Sequence, residues 1–378
     1  MAEDIRPYSI DVAPEDLTDL RDRLRRTRWP EEQPVDDWSQ GVPLRYLQDL
    51  CSYWAERYDW PARQDRLNSF PQYKTIVDGL GIHFVHVPSP HPGAMPLVLT
   101  HGWPGSFVEF LDVIGPLTDP VAHGGDASDA FHVVVPSLPG YAFSDKPGET
   151  GWGVERTARA WAELMARLGY RRYGAQGGDW GAMVTTSLAQ QDAEHVAGIH
   201  LNMVIAFPGP DDGEPTEEEK AALAAVNDYM SKDSGYSKQQ STRPQTIGYS
   251  LVDSPAGLCA WILEKFWSWT DTAGDPVAAL GADRILDDVM LYWLPATGAS
   301  SARMYWESFE HPPLGPVATP MGATVFPKEI FRPSRRWASR QFSDIRWWGR
   351  PSSGGHFAAF EQPATFVEEV RGFFRTVR

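Results

Sequence analysis

In the stretch "RRYGAQGGDWGAMVTT", residues 171–186, an apolar run enters two glycines and turns into a helix-like segment with Asp179 at its tip. Gly177, Gly178, Gly181 and Ala182 flank that tip. Small residues let a chain turn tightly from strand to helix while pushing the tip side chain outward. The next amide, that of Trp180, then stands at a helix N-terminus and points into the site. A plainer reading makes Asp179 a helix cap. Three further segments weigh against it. "LTHGWPGSF" follows an apolar run at 97–100 and offers the Trp103 amide as a second donor, beside Pro104, which has none to give. "SSGGHFAAFEQP" places His356 in a glycine-cleared loop near the C-terminus, and "ATVFPKEIF" supplies an acid, Glu329, ahead of it. Asp344 competes for the acid's role, but it precedes a strand-like run instead of following one. His101 reads as structural.

The order nucleophile, acid, histidine is that of the α/β-hydrolases, whose elbow usually reads G-x-S-x-G. A serine there attacks a carbonyl and leaves an acyl-enzyme. A carboxylate attacking an acyl group would leave a labile anhydride, but at an sp³ carbon it leaves an alkyl ester. That ester is a carbonyl compound carried by the protein itself. Water activated by His356 can attack Cγ of Asp179, the amides of Trp103 and Trp180 can hold the oxyanion, and Glu329 can orient the imidazole. The leaving group is then a halide or the strained oxygen of an epoxide. A departing alkoxide needs an acid where a halide needs only weak donors, and a phenol suits that task. "SGYSKQQSTRPQT" holds Tyr236 and "SSARMYWESF" holds Tyr305, yet on the residues alone Tyr249 ranks no lower than Tyr236.

Other candidates carry less. His83 and His86 in "HFVH" are three apart on a strand, so they face opposite ways and would not share a metal. His195, His200 and His311 have no motif around them, and no HExxH, CxxC, GxxxxGK[ST] or GxGxxG is present. No cofactor or metal is implied.

Positioning such residues takes a sheet. Residues 1–75 read helical, with Leu17, Leu20 and Leu24 on one face and Leu44, Leu47, Cys51, Trp54 and Tyr58 on another. From Tyr73 the pattern alternates on both sides of Asp78-Gly79, which predicts a hairpin. "MPLVLTHG", "FHVVVPSLPG", "YGAQGGD", "VAGIHLNM", "ATVFP" and "IRWWG" then read as strands separated by helical stretches. The expectation is an α/β fold with a mostly parallel central sheet, helices on both faces and chemistry in loops at the strands' carboxyl ends. A Pro-, Gly- and acid-rich exit ends in a capping box, Thr216 with Glu219. The division is an N-terminal helical extension at 1–75, hydrolase core at 76–205, helical cap at 206–317, and core again at 318–378.

The net charge of −16 argues against nucleic acid or an anionic membrane as partner. Five arginines in "LRDRLRRTRW" read as a solvated helix face. No apolar run approaches the ~18 residues needed to cross a bilayer, and "MAEDIRPYSI" lacks a signal pattern. The two cysteines, Cys51 and Cys259, read as buried free thiols suited to a reducing cytosol, hence a cytoplasmic placement. Sixteen tryptophans suggest aromatic walls around a hydrophobic substrate.

Over nearly its whole length the chain resembles an epoxide hydrolase of the microsomal type. The resemblance runs through "LRRTRWPE", "GVPLRYLQDLCSYW", "DGLGIHFVHV", "HGWPGSF", "PSLPGYAFSDKP", "GGDWGA", "TRPQTIGYSLVDSPAGLCAWILEKF", "VMLYW" and "GGHFAAFEQP". It implies an Asp179 nucleophile, a His356 base, Glu329 as its acidic partner, and Trp103 and Trp180 as oxyanion donors. It also implies Tyr236 and Tyr305 as the ring-opening pair, which decides the contest with Tyr249. Animal members carry an N-terminal membrane anchor where this chain starts at the extension, so the expectation is a soluble protein closer to bacterial or fungal members. The implied substrate is a small hydrophobic epoxide, aryl ones included. Which epoxide, a detoxifying or biosynthetic role, and the oligomeric state (a homodimer among the options) stay open. A haloalkane dehalogenase shares the Asp-Trp pair but typically has "HGNP" and lacks the tyrosines. A catalytically silent, ligand-binding α/β-hydrolase is expected to have lost Asp179, His356 or Glu329.

Overall fold

Residues 5–310 and 312–378 are described by the computed structural model; His311 lies outside them. The strands are β1 (Arg6–Tyr8), β2 (Gln72–Val77), β3 (Leu80–Val87), β4 (Met95–Thr100), β5 (Phe131–Pro136), β6 (Tyr173–Gly177), β7 (Val196–Leu201), β8 (Met321–Thr324) and β9 (Ile345–Gly349), all but β1 in runs the sequence marks as strand-like. They join one sheet in the order β1-β2-β3-β5-β4-β6-β7-β8-β9. The first three contacts along it are antiparallel and all those from β5 onward are parallel. Parallel strands covered on both faces must be apolar throughout, and Leu97, Val98, Leu99, Val133, Val134 and Val135 are fully buried.

The Asp78-Gly79 signal is the hairpin it promised. Val77 pairs with Leu80, and both turn residues adopt positive φ, 48° and 78°. One element departs from the helical reading of residues 1–75: Arg6–Tyr8 is an edge strand, and β2 already begins at Gln72. Three residues carry no readable period, and this strand exists only because Arg6 and Tyr8 pair with Lys74 and Gln72, far along the chain.

Before β2 come α1 (Pro14–Arg25), α2 (Leu44–Glu56) and α3 (Trp60–Asn68). After β4, β5 and β6 come α4 (Leu111–Thr118), α5 (Val154–Arg167) and α6 (Trp180–Gln191). Between β7 and β8 run α7 (Glu217–Asp228), α8 (Gly235–Thr242), α9 (Pro244–Asp253), α10 (Pro255–Trp269), α11 (Pro276–Leu280), α12 (Ala282–Trp293) and α13 (Gly298–Ser308). The chain closes with α14 (Arg335–Ala338), α15 (Ala358–Glu361) and α16 (Pro363–Phe374). α4 and α16 pack on one sheet face, α5 and α6 on the other. The predicted capping box opens α7: the Thr216 hydroxyl accepts from the Glu219 amide at 3.2 Å, and the Glu219 carboxylate accepts from the Thr216 amide at 2.9 Å.

The N-terminal helices grip the helices between β7 and β8. Tyr46, Tyr53 and Tyr58 donate to Asp275, Asp283 and Asp287 at 2.6, 2.7 and 2.9 Å, and Arg63 pairs with Asp287 through both carboxylate oxygens. Asp287 is nearly fully buried, so breaking this pair would strand a charge. Cys51 and Cys259 are buried and free, as expected. Among the described residues no helix is long and apolar enough to cross a membrane.

Candidate active site

β6 ends at Gly177, and two residues later Asp179 takes φ 50° and ψ −129°, a conformation that costs a non-glycine residue about 1–3 kcal/mol. The strain is held from below by contact too close for side chains. A Cβ on Gly181 would collide with the Thr100 carbonyl, and one on Gly102 with the Asp179 side chain. Asp179 stands at the N-cap position of α6 but makes no capping hydrogen bond. Its carboxylate points elsewhere. Oδ1 accepts from the Trp103 amide at 2.8 Å, and Oδ2 lies 3.4 Å from Nε2 of His356. The Trp180 amide, in the first turn of α6, makes no hydrogen bond to that carboxylate.

His356 follows β9. Its amide donates to the Trp269 carbonyl at 2.8 Å, fixing the loop against α10, and its Nδ1 lies 2.8 Å from Oε1 of Glu329. Glu329 follows β8 and is 2% exposed; the same oxygen accepts from the Ile330 amide at 2.6 Å. Asp344, the competing acid, binds Arg346 outside this site, and its carbonyl accepts from Met321 at the opposite end of β8. Asp179, His356 and Glu329 thus form one line, with the imidazole between two carboxylates, hydrogen-bonded to Glu329 and within ion-pair distance of Asp179.

Above that line are the tyrosines of α8 and α13. Tyr236 stacks on Trp103 with ring centroids 4.8 Å apart at 9°, and Tyr305 meets Trp180 edge-on at 4.8 Å. The two phenol rings lie 5.8 Å from each other. Each therefore rests on the indole of a tryptophan whose amide flanks Asp179. Both are buried, whereas Tyr249 is 70% exposed. A small enclosed cavity reaches Asp179 and His356 from Trp103, Phe357 and Glu109.

Three comparisons bear on this geometry. Residues 5–110 match the family model for the epoxide hydrolase N terminus, and residues 95–245 match that for the alpha/beta hydrolase fold. The chain is 55% identical to a Stigmatella aurantiaca protein provisionally named an epoxide hydrolase, over 99% of this chain and 86% of that protein. It is 35% identical to epoxide hydrolase 1 of Sus scrofa, over 98% of this chain and 88% of the relative. The crystal structure of juvenile hormone epoxide hydrolase from the silkworm Bombyx mori matches with a TM-score of 0.92 at 31% identity, covering 100% of this chain and 95% of that one. The chain belongs to the epoxide hydrolases.

An epoxide hydrolase takes a small epoxide and adds water, and the electrostatics here suit a step that begins with a carboxylate. Burial disfavours the imidazolium of His356, but the Glu329 and Asp179 carboxylates outweigh it and hold its pKa well above the ordinary histidine value. Burial pushes both Tyr236 and Tyr305 well above the ordinary phenol value, so both keep their protons. His101 is structural in this epoxide hydrolase. Its Nδ1 bonds the Gly102 carbonyl at 3.0 Å, its Nε2 accepts from the Leu138 amide at 3.2 Å, and burial lowers it to about 4. His83 and His86 have separate partners, Ser137 and Gln72 for one and Tyr170 for the other. The described residues bring one possible metal-ligand group together, Asp192, Glu194 and His195, away from the cavity of Asp179.

Sequence reasoning missed three neighbours of the site. Glu109 lines the cavity, and burial together with the Asp288 carboxyl pushes it well above the usual carboxylate range. A charge inside the apolar run "GSFVEFLDVIG" was its available signal. Tyr229, whose hydroxyl lies 2.9 Å from that of Tyr236, and Lys265, whose ammonium lies over the Tyr236 ring, gave none.

Proposed function

We propose that Asp179 is the nucleophile of this epoxide hydrolase, His356 its base, Glu329 the partner that orients the base, and Tyr236 and Tyr305 the acids that open the ring. The observation that carries this reading is the Asp179–His356–Glu329 line beneath two buried phenols. In the first half, an oxygen of Asp179 attacks one ring carbon and the carbon–oxygen bond breaks. The electron pair goes to the ring oxygen, which takes a phenol proton and leaves a phenolate. The enzyme then carries an alkyl ester on Asp179.

That ester is neutral, so His356 loses one of the two carboxylates that held it protonated. Its pKa falls, its proton passes to the phenolate, and a neutral imidazole is left facing the ester. In the second half, His356 takes a proton from water as the water oxygen attacks Cγ of Asp179. The Trp103 amide and, in this reading, the Trp180 amide stabilise the tetrahedral oxyanion. Collapse releases the vicinal diol and restores the Asp179 carboxylate beside an imidazolium. The charge of the nucleophile thus decides when the base is ready.

Helices within 206–317 are proposed as the cap that carries the phenols, on the core of 76–205 and 318–378, with 1–75 as the extension that grips it. The rings of Trp103, Trp180, Trp269 and Phe357 around Tyr236, Tyr305 and His356 support a hydrophobic substrate, aryl epoxides included. Two free thiols support a reducing, cytoplasmic setting.

The test is intact-mass spectrometry of His356→Gln mixed with aryl and alkyl epoxides and one haloalkane. An adduct equal to a whole epoxide, mapped to the Asp179 peptide and persisting, is the expected result. Rapid diol release by this variant would remove His356 from the role of base.

A further inference from the structure

The two phenols have different surroundings. Tyr305 meets the rings of Trp180, Tyr236, Trp103 and Phe309. Tyr236 has Trp103 stacked on one face, and over the ring stands the ammonium of Lys265, 4.7 Å from the centroid. Among the described residues no lysine or arginine stands over Tyr305.

Lys265 is itself unusual. Its side chain is 2% exposed, a rare condition for lysine that requires a partner. It donates to Asp233 at 2.6 Å and to Glu264 at 2.9 Å. Asp233 is fixed in turn: its other oxygen accepts from Ser268 at 2.8 Å and from the Trp269 indole at 2.6 Å. Three donors thus hold one carboxylate, which keeps the ammonium over the ring. A hydrogen bond at the phenol end completes the setting, because the Tyr229 hydroxyl lies 2.9 Å from that of Tyr236.

A cation over a ring is attracted to the negative face of its π-system. The attraction grows when the phenol becomes a phenolate, since part of the negative charge is delocalised into the ring. A stronger attraction in the product of proton transfer than in its ground state speeds that transfer.

We propose that Lys265 makes Tyr236, and not Tyr305, the phenol that gives its proton to the opening epoxide. The ammonium stabilises the phenolate left behind, with Tyr229 as hydrogen-bond donor to its oxygen, while Tyr305 keeps its proton and only hydrogen-bonds the ring oxygen. Lys265 touches no reacting atom and is a positioning residue that acts through Tyr236. The charged and titratable groups facing Tyr236 are then Lys265 from α10, Tyr229 before α8, Tyr305 from α13 and Asp179 from the elbow. This inference rests on the reading in which the two phenols open the ring.

The experiment is a double-mutant cycle on ester formation, made in the His356→Gln background and followed by rapid quench and intact mass. The substrate is styrene oxide, or the best alkylating epoxide of the panel. Lys265→Met is expected to slow alkylation about tenfold or more. In Tyr236→Phe it should slow it less than about twofold, and in Tyr305→Phe it should keep its whole effect. Equal slowing in the Tyr236→Phe background would make Lys265 merely structural and overturn the proposal, as would loss of the effect only with Tyr305→Phe. If neither tyrosine variant alone slows alkylation, the ring-opening role of the phenols fails first, a separate result from either of these. Because Lys265→Met leaves Asp233 short of a partner, the cycle is repeated with Asp233→Asn beside it. Lys265→Arg, which keeps a cation over the ring, should restore the rate to within a few fold.

Discussion

The site is assembled from two regions that hold their residues by different means. Asp179, Glu329 and His356 sit on loops at the carboxyl ends of β6, β8 and β9, and each is held by a hydrogen bond to a backbone group. Gly181 lets the elbow close, the Ile330 amide holds Glu329, and the Trp269 carbonyl holds the His356 loop. Tyr236 and Tyr305 are held by side-chain contacts, on the indoles of Trp103 and Trp180 and, for Tyr236, through the Tyr229 hydroxyl. At the strand ends, backbone groups thus set the place of Asp179 and its two partners. The helical region supplies the two tyrosines, whose place depends on the side chains around them.

The comparison can be broken most severely at Asp179, the proposed nucleophile. Asp179→Ala should lower turnover by about 10⁶-fold, as loss of a nucleophile that works with its base does, with thermal unfolding close to that of wild type; measurable diol at a tenth of the normal rate would end the assignment. On the helical side, Tyr236→Phe and Tyr305→Phe should each slow alkylation by about 10²-fold while the hydrolysis rate of preformed ester stays unchanged. Stopped-flow and single-turnover rates separate the two halves, and a matching drop in hydrolysis would dissolve the division drawn here. Between the regions, Arg63→Ala strands the buried Asp287 and should cost about 3 kcal/mol by denaturant unfolding. Alkylation should suffer with it more than ester hydrolysis does.

The smallest effect concerns the imidazole. Two carboxylates raise His356, and removing the charge of Asp179 takes one away. In Asp179→Asn the ring should titrate at lower pH than in wild type by NMR, and ester hydrolysis in the wild-type chain should rise with pH through that lowered value. An unchanged titration would mean that Glu329 alone holds the proton, and alkylation would then not ready the base.

Much of this was legible in the sequence. The Asp179 elbow, the Trp103 turn and the Asp78-Gly79 hairpin are decided by steric limits acting over a few residues, and glycines at fixed spacing record those limits. The run-by-run strand reading held because parallel strands must be apolar along their whole length. The choice of Tyr236 over Tyr249 was open on the residues and needed a family resemblance, since nothing within a few positions distinguishes a buried tyrosine from a 70% exposed one. The edge strand Arg6–Tyr8 went unread because its pairing lies more than sixty residues away.

Sequence alone therefore determined the fold class, the strained turn that carries Asp179 and the chain order of Asp179, Glu329 and His356, because backbone sterics and hydrophobic period are local. Tertiary structure alone decided that the imidazole lies between two carboxylates, that Tyr229 meets Tyr236, and that a buried ammonium stands over one phenol and not the other. Those are contacts between residues whose neighbours in the chain carry no record of them, and only the packing of α8, α10 and α13 over the sheet brings them within a few ångströms.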